Sequence, residues 1–196
     1  MITAIVLAAG TSTRMGEVNK LLLPFNNKSI VSTTVGNIID SGIKEVIVVT
    51  GHERELIEQE LEGYKVVFIT NEEYVEGMTT SIKKGVSIAN GNGYMICLAD
   101  MIKITSKEYL FLQKYFEELV VQNPKTICLP VYNNLRGNPV IFSAYYKSLI
   151  LQHKELDGCK EIVKNNNEHL ALVSMTTDHV LFDIDNKEEY ENIQHE

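Results

Sequence analysis

Gly10, Thr11, Ser12, Thr13, Arg14 and Gly16, with Lys20 just beyond them, are the residues of this chain best suited to hold a polyphosphate. Glycine permits positive φ and lets backbone N–H groups approach phosphate oxygens, arginine offers a planar fork of donors, and lysine a point charge. The stretch follows an apolar run from Ile2, and Leu7, Ala8 and Ala9 lead out of it into the loop. Such a run reads as a buried parallel strand, and ligands of open α/β sheets sit outside the carboxyl ends of these strands. Two better-known phosphate loops do not fit. A P-loop requires lysine directly after its last glycine, whereas Gly16 is followed by Glu17 and the lysine arrives at Lys20. The dinucleotide fingerprint requires three glycines and an acidic end to the second strand, whereas that strand ends here at Thr50-Gly51. On residue types alone, the stretch is either a phosphate loop or a polar turn whose charges face solvent.

The elements that must position this loop follow in order. Ser29 is placed to cap a helix bearing Ile30, Val31, Val35, Ile38 and Ile39, with Gly42 behind it as a stop. Val46 to Val49 reads as a second strand, Glu53 to Leu61 as a charged amphipathic helix and Val66 to Ile69 as a third strand. This alternation gives a parallel sheet. Gly77-Met78-Thr79-Thr80-Ser81 opens another helix, and its hydroxyls read as an N-cap. Tyr94 to Leu98 is the fourth strand, with Asp100 near its carboxyl end on the loop's side of the sheet. A carboxylate there suits a hard cation such as magnesium or caps the next helix, although Thr105 and Ser106 stand closer to the helix from Lys107 to Gln122. Strands at Thr126 to Val131 and Val140 to Phe142 read as an antiparallel element at the far side of the sheet. Near the C-terminus, strand alternation would put Asp183 and Asp185 on one face, where they bind a cation or cap the last helix.

A length of 196 residues, 44% hydrophobic and 22% charged, fits one α/β domain over 1–196, with no repeat or linker to divide it. The net charge of -8 excludes the positive field that nucleic-acid or anionic-membrane binding uses, so an anionic substrate has to be caught by a few placed cations. Cys97, Cys128 and Cys159 lack the spacing of a disulfide framework or zinc site, and no stretch reads as a signal peptide or membrane span. A reducing cytoplasm is the expected compartment. The histidines, His52, His153, His169, His179 and His195, lack ligand spacing and read as surface or capping residues.

The stretch Leu7-Ala8-Ala9-Gly10-x-Ser12-x-Arg14-Met15-Gly16, followed by Lys20-Leu21-Leu22-Leu23-Pro24, resembles the signature loop of nucleotidyltransferases with a glycosyltransferase-A-like fold. Among these it is most similar to the molybdenum cofactor cytidylyltransferase and MobA-like branch. Gly77 to Ser81 resembles that family's Gly-Met-Ser-Ser-Ser, which makes Gly77 and Ser81 nucleotide contacts, and Leu98-Ala99-Asp100-Met101 resembles its metal-binding Leu-Ala-Asp-Met-Pro, with Ile102 in place of proline. Gly137-Asn138-Pro139-Val140 resembles Gly-His-Pro-Val with Asn138 for histidine, and Glu155 to Lys160 stands where the family carries Gly-Asp-x-Gly-Ala-Arg. Asn138 and Lys160 are thereby acceptor-binding candidates, Lys160 keeping a charge but not an arginine's fork. Asp183-Ile184-Asp185 resembles the closing Asp-Ile-Asp motif, whose second aspartate implies Asp185 as the other metal ligand beside Asp100.

The resemblance implies a three-layer α/β/α fold with a mostly parallel sheet. It implies transfer of CMP from CTP to the terminal phosphate of a molybdopterin-type molybdenum cofactor, with Mg2+ as cofactor and release of pyrophosphate. Arg14 would hold the β- and γ-phosphates, Lys20 the α-phosphoryl group, and Leu7, Ala8, Ala9, Gly10, Thr11 and Ser12 would line the nucleotide. Members that use GTP carry a glycine where this chain has Ala9, which implies CTP here. A molybdenum hydroxylase is a further implied partner. The alternatives are a cytidylyl- or uridylyltransferase for a sugar or polyol phosphate, and a non-catalytic carrier of the molybdenum cofactor.

Overall fold

The computed structural model of the protein describes residues 1–16 and 18–194, with the side chain of Arg14 outside that description. In chain order the elements begin with β1 (Ile2–Ala8), a small β2–β3 hairpin (Pro24–Phe25, Lys28–Ser29), α1 (Ile30–Asp40), β4 (Glu45–Thr50), α2 (Arg54–Glu60) and β5 (Val67–Thr70). They continue with α3 (Met78–Ile88), β6 (Gly93–Leu98), α4 (Ser106–Gln122), β7 (Ile127–Tyr132), β8 (Leu135–Arg136) and β9 (Val140–Ser143). The chain closes with α5 (Lys147–Gln152), α6 (Lys160–Asn165), β10 (Leu170–Ser174) and α7 (Lys187–Ile193). The main sheet runs β10-β7-β9-β6-β1-β4-β5, with β8 paired to β7.

Strand β1 is central, parallel to β4 on one side and β6 on the other, so the loop that follows it leaves the middle of the sheet. Its side chains alternate between two apolar layers. Ala4, Val6 and Ala8 face the layer built with Val35 and Ile38 of α1, Leu112 and Phe116 of α4, and Ile193 of α7. Ile5 and Leu7 face the other layer, with Ile82 and Val86 of α3, Ile150 of α5 and Ile162 of α6. Helices therefore cover both faces, as a three-layer α/β/α fold requires. Helix α3 comes so close to the sheet that a Cβ on Gly85 would lie 2.3 Å from Ile5 Cγ2 and 3.2 Å from Val49 Cγ2. Only glycine allows that approach, which seats the start of α3 beside the end of β1.

The antiparallel element is not at the far side of the sheet. Strand β9 lies inside it, between β6 and β7 and antiparallel to both, while β10 forms the edge, parallel to β7. A hairpin-like reading of β7, β8 and β9 could not foresee β9 wedging between two strands distant in sequence. The helix caps follow local chemistry: Ser29 and Ser32 form a capping box on α1, and Thr105 and Glu108 form another on α4. Asn186 and Glu189 form the capping box of α7, the role the sequence left open to Asp183 and Asp185. Those two aspartates lie outside any strand, in the irregular chain between the short turn His179–Leu181 and α7.

The three cysteines are free and buried, and burial pushes each thiol up from its ordinary value. His153 departs from the surface reading, being 8% exposed, whereas His195 lies outside the described residues. No helix among the described residues is long and apolar enough to cross a membrane.

Candidate active site

A cavity of about 350 Å³ opens beyond the carboxyl ends of β1 and β6, lined by Leu7, Ala9, Gly10, Ser12, Thr13, Lys20, Leu21, Tyr74, Gly77, Met78, Ser81, Leu98, Ala99, Asp100, Asp183 and Asp185. It lies at the low end of the sizes typical of ligand sites, roughly 300–1,000 Å³. Residues separated by more than a hundred positions meet there because each ends a strand or starts a turn at the same rim.

Within the loop, the left-handed conformation falls on Ser12 (φ 51°) and Gly16 (φ 78°), and not on Gly10. A Cβ on Gly10 would meet nothing within 4 Å, so the backbone there is open toward a ligand. The Ser12 hydroxyl accepts from the backbone N–H of Lys20 at 3.2 Å and donates to Asn19 Oδ1 at 3.4 Å. Asn19 in turn accepts from Leu21 N–H at 3.1 Å and caps the short turn Lys20–Leu22. The loop and Lys20 are thereby one mechanical unit. Arg14 belongs to the turn Thr13–Met15, and its side chain lies outside the described part.

Lys20 reaches across the cavity. Its Nζ lies 2.5 Å from Asp100 Oδ2 and 3.5 Å from Asp185 Oδ1, and it donates to the Ile184 carbonyl at 2.5 Å. Asp100, Asp183 and Asp185 each offer an oxygen, all within 4.8 Å of one another. Alternation about buried Ile184 turns Asp183 and Asp185 to the same side although no ladder holds them. Asp100 is 7% exposed, and its Oδ1 is buried without a hydrogen-bond partner among the described residues. An unpartnered buried carboxylate oxygen is costly. Carboxylate and carbonyl oxygens so close together are the donor set a hard dication takes, and such an ion would satisfy Oδ1. The residues present therefore fit magnesium.

Burial raises the Asp183 carboxyl above its ordinary value, the neighbouring Asp100 and Asp185 raise it further, and Lys20 opposes them. A raised carboxyl means the native state holds that proton more tightly than the unfolded chain does. Its favourable contribution is full below the ordinary carboxylate range and lost as pH rises through the raised value. Asp183→Asn should accordingly melt at a higher temperature than wild type at pH 7.5 in chelator, with the gap closing toward pH 3.5. Calorimetric melts across that range check it, and a lower melting temperature at pH 7.5 would contradict the charge crowding.

The opposite wall is the start of α3. Buried Asn71 donates from Nδ2 to Thr80 Oγ1 at 2.8 Å and to Ser81 Oγ at 2.9 Å, which orients the Ser81 hydroxyl. Gly77 takes φ 128°, and a Cβ there would lie 2.5 Å from the Leu156 carbonyl oxygen. The Leu156 carbonyl accepts from Thr79 N–H at 3.4 Å, and Thr79 Oγ1 donates to the Glu155 carbonyl at 2.5 Å and accepts from Gly158 N–H at 3.0 Å. Thr79 thus clips residues 155–158 onto the cavity wall, an interaction the N-cap reading of Thr79 misses.

Of the residues singled out in the sequence, Leu7, Ala9, Gly10, Ser12, Lys20, Gly77, Ser81, Asp100 and Asp185 line the cavity. Ala8 faces the α1 layer, fully buried, and Thr11 is exposed outside the lining. Asn138 and Lys160 do not line the cavity. Asn138 donates its backbone N–H to the Val180 carbonyl at 2.9 Å, and Lys160, its side chain 81% exposed, lies 3.8 Å from Asp157. Asp183, named beside Asp185 as a cation or capping candidate, also lines the cavity, as does Met78 of the Gly77 to Ser81 segment. Tyr74 is a member of the lining that no sequence pattern singled out.

The family described as MobA-like NTP transferase domain matches residues 4–171. The chain is 24% identical to the molybdenum cofactor cytidylyltransferase of Escherichia coli over 190 residues, 96% of this chain and 93% of the relative. Among solved structures, a nucleotidyl transferase from Methanothermobacter thermautotroptrophicus aligns with TM-score 0.86 at 22% identity, covering 100% of this chain and 96% of that one. The Mycobacterium tuberculosis protein Rv0371c, solved in complex with manganese, aligns with TM-score 0.73 at 21% identity, covering 99% of this chain and 98% of that one.

Proposed function

Because this chain belongs to the MobA-like NTP transferase family and is a nucleotidyltransferase, we propose that it transfers CMP from CTP to the terminal phosphate of a molybdopterin-type molybdenum cofactor, releasing pyrophosphate. The observation that carries the reading is the meeting of Ser12, Lys20 and Asp100 at one cavity, a loop for phosphates joined to a cation and a carboxylate cluster. The likeness to the Escherichia coli cytidylyltransferase, which runs nearly end to end in both chains, supports the choice of base and acceptor.

In this mechanism the open backbone at Gly10 and the hydroxyls of Ser12 and Thr13 bind the triphosphate, with Arg14 on the β- and γ-phosphates. Ser81, oriented by Asn71, meets the ribose or base. An oxygen of the acceptor's phosphate attacks the α-phosphorus, the bond from that phosphorus to the bridging oxygen breaks, and pyrophosphate leaves in line. The attacking phosphate is largely ionised at neutral pH, its second pKa being about 6, so no general base is needed. Positioning and charge stabilisation suffice, and Lys20 supplies the cation nearest the reacting phosphorus. Asp100 and Asp185, with Asp183 beside them, would hold Mg2+, which neutralises phosphate charge when bound; the manganese in the mycobacterial relative supports a divalent ion. Lys160, just beyond the segment clipped to α3, and Asn138 are assigned to the acceptor side.

Base choice is assigned to Ala9. Its methyl lines the cavity so near to Gly51 that a Cβ added at Gly51 would lie 2.8 Å from it, with Tyr74 3.0 Å from the same point. On this reading the methyl occupies space a purine would use, and a pyrimidine leaves it free. A hydrophobic size difference contributes about 1–3 kcal/mol, so CTP is expected to outcompete GTP by roughly 10- to 200-fold. Ala9→Gly is expected to narrow that ratio. Pyrophosphate release from a panel of nucleoside triphosphates, with and without purified molybdopterin, tests both parts. Release that ignores the acceptor, or GTP used as well as CTP, would refute them.

A further inference from the structure

The Lys20 ammonium sits on two of the three carboxylates that a divalent cation would use. Asp100 Oδ2 and the Ile184 carbonyl are each 2.5 Å from it, and Asp185 Oδ1 is 3.5 Å away. The Lys20 side chain is only 15% exposed there, so the contact is not a loose surface pairing. A hard dication collects several oxygen ligands at about 2.0–2.6 Å, and three carboxylates whose oxygens lie within 4.8 Å of one another, two of them paired with Lys20, are the set it would draw on. It cannot share the set with an ammonium at such separations without strong repulsion in a poorly solvated site.

Resting on the nucleotidyl-transfer reading, we propose that Lys20 and the divalent cation exchange on the same carboxylates, so that the protein admits its cation together with the nucleotide and binds it weakly alone. The loop provides the means. Ser12 accepts from the Lys20 backbone N–H and donates to Asn19, the cap of the lysine's own turn, and both Ser12 and Lys20 line the cavity. A triphosphate seated against the loop offers the ammonium new anionic partners within reach of its flexible four-carbon stem. Once the ammonium turns to the phosphates, Asp100 and Asp185 are released to the cation. Because linkage is reciprocal, the factor by which nucleotide strengthens cation binding is the factor by which the cation strengthens nucleotide binding.

The test is Mn2+ binding to the full chain without nucleotide, by calorimetry and by the paramagnetic resonance of free Mn2+, at pH 7.5. Lys20→Met keeps the stem and removes the charge, and it should bind Mn2+ at least tenfold more tightly than wild type. Lys20→Gln, which can still donate to Asp100, should do the same and guards against misfolding of the first variant. Lys20→Arg should remain as weak as wild type, and Asp100→Asn added to Lys20→Met should abolish the gain. Unchanged or weaker Mn2+ binding in folded Lys20→Met and Lys20→Gln would overturn the exchange, as would a gain that survives Asp100→Asn. Acceptor-dependent pyrophosphate release by wild type is read separately, so the exchange can fail while the nucleotidyl-transfer reading stands.

Discussion

Asp100→Asn should lower magnesium-dependent pyrophosphate release by about 10²- to 10³-fold, the loss typical when a preorganised charge-stabilising group is removed from a transferring phosphoryl site. Asp100 ends the turn after β6, where Oδ2 meets Lys20 and Oδ1 is buried without a partner among the described residues. Asparagine keeps the shape and an oxygen for Lys20, but it loses the charge and places an amide where a cation would be held. Stability should change little, since Lys20 keeps the Ile184 carbonyl and Asp185, and one of three crowded carboxylates is gone. Pyrophosphate release and a thermal melt on the same preparation separate the two effects. A folded Asp100→Asn protein within a fewfold of wild-type turnover would remove Asp100 from the site. Parallel measurements on Asp183→Asn and Asp185→Asn rank the other two carboxylates.

Most of the sheet was legible because buried strands are unbroken apolar runs. Ile2 to Leu7 and Val46 to Val49 could be read directly, and both are interior strands of the sheet. Alternation along β1 also told more than was drawn from it. Leu7 and Ala9 share the cavity side, so Ala8 had to face the core, where it is fully buried beside α1. By contrast, the place of β9 depends on a pairing between segments far apart in sequence, and no local pattern encodes which gap a strand fills.

The site was legible in part for a similar reason. Gly10, Ser12 and Lys20 lie close in sequence, and Asp100 ends a strand, so one stretch and one strand end locate them. The Asp183–Asp185 pair shows how a pattern can succeed where its stated cause fails. The segment is not a strand, yet the two-residue spacing about a buried Ile184 still brings both carboxylates together. What could not be read is the direction a long side chain takes. Lys20 was assigned to phosphate, and nothing in its spacing says that its ammonium reaches Asp100, Asp185 and the Ile184 carbonyl. Tyr74 lies outside every motif, and only the closeness of Gly51 to Ala9 and Tyr74 reveals the wall it helps form.

Lys20→Met should lower kcat for CMP transfer by about 10²- to 10³-fold while weakening CTP binding only severalfold. On the proposed reading the triphosphate in the ground state also has the loop backbone, Ser12, Thr13 and Arg14 to hold it, so one lost ammonium among these costs little affinity. Negative charge grows on the α-phosphoryl oxygens and the departing pyrophosphate as the bond breaks, and an interaction that strengthens with that charge appears in kcat. Arg14→Ala, by comparison, should weaken binding and rate together, because the β- and γ-phosphates it is assigned to are charged before the reaction begins. The exchange between Lys20 and the cation sharpens the test. If the ammonium merely occupied the carboxylates, Lys20→Met would bind Mn2+ more tightly and turn over at least as fast. If it also acts on the reacting phosphoryl group, the same variant binds Mn2+ more tightly and turns over far more slowly. Measuring CTP affinity, Mn2+ affinity and single-turnover rate on one preparation distinguishes these outcomes. A rate loss no larger than the loss of CTP affinity would place Lys20 in nucleotide binding and remove it from the chemistry.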